Sequence, residues 1–88
     1  MIVYCVMEKD FIKNETELKR VFRDQKKAMD FAEICANEKV KGYSQTRDVV
    51  RWKDGFMAVW SEENDIETVL NDENTVAAYY VKEMLVNN

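Results

Sequence analysis

The sequence predicts an α+β fold: a four- to five-stranded, mainly antiparallel sheet with one main helix packed on one face. Three observations point there. A β-branched and aromatic run opens the chain, an amphipathic helical stripe lies before its midpoint, and an Asp-Gly turn joins two apolar runs beyond it. With 88 residues and 10.4 kDa, the chain forms a single domain, residues 1–88. A chain of this size buries roughly three fifths of the surface it exposes when unfolded. Its 47% hydrophobic and 34% charged residues set it apart from disordered and membrane chains.

Ile2-Val3-Tyr4-Cys5-Val6-Met7 is apolar on both alternating faces, as in a strand covered on both sides, and belongs in the middle of the sheet. Glu8 to Thr16 is polar apart from Phe11 and Ile12 and reads as a connection, after which Glu17 to Arg23 pairs back as a second strand. A single helix from Glu15 to Lys41 competes with this reading. Asn14 and Glu17 have capping-box spacing, and Leu18, Val21 and Phe22 fit one helical face. Against it, Asp24-Gln25-Lys26-Lys27 interrupts the apolar stripe for a full turn, and Asp24 is a natural N-cap. The break therefore falls at Asp24.

The helix that follows, from Gln25 to Val40, carries Ala28, Phe31, Ala32 and Cys35 on one stripe, flanked by Met29 and Ile34, and Gly42 stands where a left-handed C-terminal cap is expected. Its inner residues Phe31, Ala32 and Cys35 should meet Val3, Cys5, Val50 and Val59 or their face-mates. Val49 to Lys53 and Phe56 to Trp60 flank Asp54-Gly55, a two-residue hairpin turn that calls for positive φ angles. Setting Lys53 against Phe56 brings Trp52 opposite Met57 and Val50 opposite Val59 on one face, with Arg51 opposite Ala58 and Val49 opposite Trp60 on the other. Ser61 to Thr75 holds six acidic residues and no basic one, and suits a short helix with an acidic side. Val76 to Val86 closes the sheet; its Tyr and Val content outweighs the helix-favouring Ala77, Ala78 and Lys82 to Leu85.

Charge and composition narrow the chemistry. Thirteen Lys and Arg against 17 Asp and Glu give a net charge of −4, the wrong sign for a protein that neutralises phosphates, so direct nucleic-acid binding is disfavoured. The acidity sits in the second half: residues 1–44 carry nine basic and eight acidic residues (+1), residues 45–88 four and nine (−5). The absence of histidine removes catalytic triads and the usual neutral-pH base. Cys5 and Cys35 lack a CxxC spacing and read as buried thiols in a reducing, cytoplasmic setting. No apolar run approaches the ~20 residues of a membrane span, and the opening stretch has no basic leader, so neither export nor a membrane partner is expected.

Candidate sites follow from what remains. Glu62, Glu63, Asp65, Glu67, Asp72 and Glu73 form a carboxylate cluster without calcium-loop glycine spacing, which argues against a metal or other cofactor. A magnesium-dependent carboxylate enzyme is the alternative. Closely spaced carboxylates can instead imitate a phosphate backbone and steer toward a basic groove. Trp52 and Trp60 add aromatic anchors of the kind that dominate protein interfaces. Lys19, Arg20, Arg23, Lys26 and Lys27 are the one basic cluster, and support nucleic-acid binding as a further alternative.

The stretch Leu18-Lys19-Arg20-Val21-Phe22-Arg23-Asp24-Gln25-Lys26-Lys27-Ala28-Met29-Asp30-Phe31-Ala32, together with Tyr79-Tyr80-Val81-Lys82-Glu83-Met84, resembles a pattern of small bacteriophage and prophage proteins. There a strand ending in Val-Phe precedes a polar cap and a helix with Ala and Phe on its inner face. The resemblance covers about half the chain and leaves out the Asp54-Gly55 hairpin and the acidic stretch. It implies a non-enzymatic accessory protein of the host bacterial cytoplasm that binds and inhibits or modulates a host or defence protein. The acidic segment and the hairpin aromatics would make that contact, and a nucleic-acid-binding target would suit local mimicry. Because the sheet face away from the helix would also carry apolar residues, it must be covered by the short segment near Ile66–Leu70, by a second copy of the chain or by a target, so a homodimer is a further expectation.

Overall fold

The computed structural model describes residues 1–42, 48–59 and 75–87. The order along the chain is β1 (Ile2–Asp10), β2 (Glu15–Phe22), α1 (Gln25–Lys41), β3 (Asp48–Trp52), β4 (Gly55–Val59) and β5 (Thr75–Leu85). The strands form one sheet in the order β2-β1-β5-β4-β3, and every neighbouring pair is antiparallel. The α+β expectation is met. β5, last in sequence, takes the central position, while β1 lies beside it and is paired on both sides. Both strands carry buried residues on each face, Val3 and Cys5 against Val6 on β1 and Ala78 against Ala77 and Tyr79 on β5, which explains why both read as apolar runs rather than clean alternations.

A single helix reaches across the sheet because its inner ridge is built of alanine. Ala28, Ala32 and Ala36 recur every four residues and are fully buried. With only a methyl group at each position, α1 lies close over β5, β4 and β1. The core beneath it holds Val6, Phe56, Ala77 and Tyr79, with Tyr4, Phe22, Met29, Phe31, Cys35, Val49 and Val81 around the margin. Asp24 begins the helix as expected: its carboxylate accepts from the backbone N–H groups of Lys26 (2.8 Å) and Lys27 (3.4 Å). The competing single helix from Glu15 is absent, since Glu15–Phe22 pairs with β1.

Several local expectations are corrected. β1 continues to Asp10, past the polar residues read as a connection, because Asp10 closes the turn itself. Its Oδ1 accepts from the N–H groups of Ile12 (2.9 Å) and Lys13 (3.0 Å), and Asn14 takes a left-handed φ of 55° before β2 starts. The helix packs on the sheet face opposite Val3, Cys5, Val50 and Val59, meeting Tyr4, Val6, Phe56 and Tyr79 instead. With both faces apolar, alternation alone could not choose between them.

The hairpin register is also shifted by two: Trp52 opposes Gly55, Arg51 opposes Phe56 and Val50 opposes Met57, so Lys53-Asp54 makes the turn. The reason lies in β5. A Cβ on Gly55 would stand 2.0 Å from the Tyr79 carbonyl oxygen and 2.7 Å from the Tyr80 Cα. Gly55 is therefore a strand residue that lets two backbones approach, rather than a left-handed turn residue. Gly42, too, is right-handed (φ −74°, ψ −4°) and caps α1 through its N–H to the carbonyls of Lys39 and Val40.

Candidate functional site

Under the C-terminal half of α1 the sheet leaves a cleft of about 420 Å³, lined by Glu8, Lys19, Phe31, Ile34, Cys35, Glu38, Lys39 and Tyr79. Register places the two central residues: Glu8 of β1 stands opposite Tyr79 of β5, on the helix-facing side. The Tyr79 hydroxyl donates to Glu8 Oε2. Lys19 reaches the cleft because it is the extra residue of a bulge in β2, between the Val6–Arg20 and Met7–Leu18 pairs, and its Nζ lies 3.0 Å from Glu17 Oε1. At the far end Lys39 Nζ stands 3.6 Å from Asp10 Oδ2, so the buried turn carboxylate also ties down the helix.

The electrostatics of the cleft favour neutral or paired groups. Burial, with the hydrogen bond to Glu8, pushes the Tyr79 hydroxyl far above the usual phenol range. The Cys35 thiol is pushed up by burial, more than the Lys19 ammonium lowers it. Lys19 is held protonated above its ordinary range by its bond to Glu17. Asp10 is held below the ordinary carboxylate range, chiefly by the Lys13 N–H, then by Ile12 N–H and Lys39, against the cost of burial. At neutral pH the thiol and phenol are thus protonated, and neither is activated for attack.

The other sheet face is apolar. Met57, Val59 and Ala78 are buried there, with Phe11, Val50 and Trp52 packed against them. Trp52 is therefore half-buried on β3 and supports a core cluster as well as offering an edge. Toward the opposite margin, Leu18 (53% exposed) and Val21 (46%) of β2 flank Met7 and Cys5 of β1 on this same face. Trp60 and the acidic residues Glu62, Glu63, Asp65, Glu67, Asp72 and Glu73 lie outside the described residues.

The basic cluster is divided. Arg20 stacks over the rings of Phe22 (5.2 Å) and Phe31 (5.6 Å), Lys19 lines the cleft, and Lys26 pairs with Asp30 at 3.4 Å. Among the described residues no group of three or more His, Cys, Asp or Glu is placed to hold a metal ion, and no helix is long and apolar enough to cross a membrane.

Sequence reasoning missed the Glu8–Tyr79 pair, whose members are 71 positions apart and meet only through strand register. Asp10 was within reach, since an Asp that opens a polar connection commonly accepts from backbone N–H groups just after it. Fold and site together define a small α+β protein with a quiet, internally paired cleft on one face of its sheet and exposed apolar side chains on the other. No protein-family model matches the sequence, and no curated protein and no solved structure is significantly similar to it.

Proposed function

We propose that the protein is a non-enzymatic accessory protein that acts by binding, and so inhibiting or modulating, another protein. The observation that carries this reading is the face of the sheet away from α1. Leu18 and Val21 on one margin and Trp52 on the other place apolar and aromatic area on one side of a rigid sheet. The cleft on the opposite face supports the same reading, because its thiol and phenol are shifted away from reactivity rather than toward it. The phage-type setting, a host or defence protein as target and the contribution of Glu62, Glu63, Asp65 and Glu67 rest on the sequence pattern. Steering by those carboxylates would favour a basic partner.

The test compares capture of bacterial proteins by the native chain, by a Leu18→Glu, Val21→Glu variant and by charge reversal at Glu62, Glu63, Asp65 and Glu67. A partner held by the native chain should be lost in the first variant and weakened in the second, with melting temperature preserved in both. Capture that survives both sets of changes would eliminate this face.

A further inference from the structure

We infer that two copies of this chain associate through the edge of β5 that no described strand pairs, in an antiparallel β5–β5 pair with Met84 on the two-fold axis. β5 is eleven residues long, but β4 accompanies it only as far as the Tyr80–Gly55 pair. The Val81 N–H then donates to the Asp54 carbonyl at 2.9 Å, the final bond on that side among the described residues. Backbone groups alternate between the two edges of a strand. Since Val81 faces β4 and the Val86 N–H donates to Met1 O on the β1 side (2.7 Å), the N–H and C=O groups of Glu83 and Leu85 point outward. They line an edge whose side chains include Met84 (45% exposed), Leu85 (72%) and Val86 (38%).

The sheet's other margins differ. β2 carries Glu15, Glu17, Lys19, Arg20 and a bulge, and β3 is short, features that discourage strand addition. The stretch of β5 beyond its last described pairing to β4 carries Lys82 and Glu83 but neither a bulge nor a proline.

Register argues for a second copy as the occupant. An antiparallel partner must set outward-facing residues against outward-facing residues, which for identical strands means Glu83 on Glu83, Leu85 on Leu85 or Glu83 on Leu85. The first opposes two carboxylates. The second runs beyond the end of the strand. The third centres on Met84, the midpoint of the stretch Lys82 to Val86, and stops short of the Asp54 tip in both copies. It forms a pair of hydrogen bonds on each side of the axis and covers both Met84 side chains. This edge is distinct from the Leu18–Val21 surface on which the proposed function rests, so the two tests fail independently.

Light scattering and sedimentation of the full chain, from micromolar to millimolar, should show a rise from the 10.4 kDa chain mass toward twice that value. Glu83→Pro removes an outward N–H and no bond to β1, and Met84→Arg places like charges on the axis. Both should remain at the single-chain mass with unchanged circular dichroism. Opposed residues at a non-hydrogen-bonded site also lie within disulfide reach. Met84→Cys should therefore cross-link between copies under mild oxidation, while Leu18→Cys should not. Both are made in a Cys5→Ala chain, because Cys5 Sγ lies 3.5 Å from Met84 Sδ. A native chain that stays single at every concentration, as it would if this edge served a strand of another protein, overturns the inference. So does association that persists in Met84→Arg, or cross-linking at Leu18→Cys alone.

Discussion

The sheet has two ends that obey different rules. Beneath α1, β4 and the first half of β5 are buried on both faces, from Phe56 to Val59 and from Val76 to Tyr79, and are packed against a ridge of alanines. Beyond the hairpin tip, β2, the start of β1 and the second half of β5 leave Ile2, Leu18, Val21, Met84 and Leu85 exposed. The same residue classes serve both ends, so composition does not separate them. Cover does: α1 shields one face of β1, β4 and β5, whereas Leu18, Val21 and Met84 point to the face away from it, which no helix among the described residues covers, and they keep their apolar side chains in contact with solvent.

The largest effect expected of breaking this contrast is at Gly55, where an alanine Cβ would collide with β5 backbone that has no freedom to move. Gly55→Ala should cost about 4 kcal/mol or leave the chain unfolded, measured by denaturant titration. Ala32→Leu, which lifts the helix from the covered end, should cost about 2 kcal/mol in the same measurement. Asp10→Ala removes two turn hydrogen bonds and the Lys39 pairing, for about 2 kcal/mol.

Because the fold holds the Asp10 carboxyl below its ordinary value of 3.8, its contribution is present above that pH and fades as pH falls below it. The Asp10→Ala variant should accordingly lose less stability than the native chain in strong acid.

Tyr79 carries the opposite sign. Its hydroxyl titrates higher in the fold than its ordinary value of 10.0, so its contribution holds below pH 10 and is lost as pH rises further. Tyr79→Phe should cost about 1 kcal/mol at neutral pH and flatten the alkaline limb of a stability-against-pH curve. The smallest effect belongs to the bare end: Val21→Thr should change stability by less than about 0.5 kcal/mol. A loss there as large as at Ala32 would mean that β2 is covered in solution, and the contrast between the two ends would fail.

Elements set by local chemistry were legible before any coordinates. Asp24 caps the helix, the alanine and aromatic spacing marks its inner side, and the closing Tyr-Tyr-Val run is a strand, because each signal acts within a few residues of itself. Partnership across the chain was not legible. Which sheet face meets α1, why a glycine stands at position 55 and how Glu8 finds Tyr79 all depend on β5 inserting between β1 and β4. By itself the sequence determined the kinds of element and most of their boundaries, through capping, periodicity and side-chain shape. Only the tertiary structure decided register, the covered face and the cleft, because strands apolar on both sides carry no local mark of which neighbour, or which side, they will take.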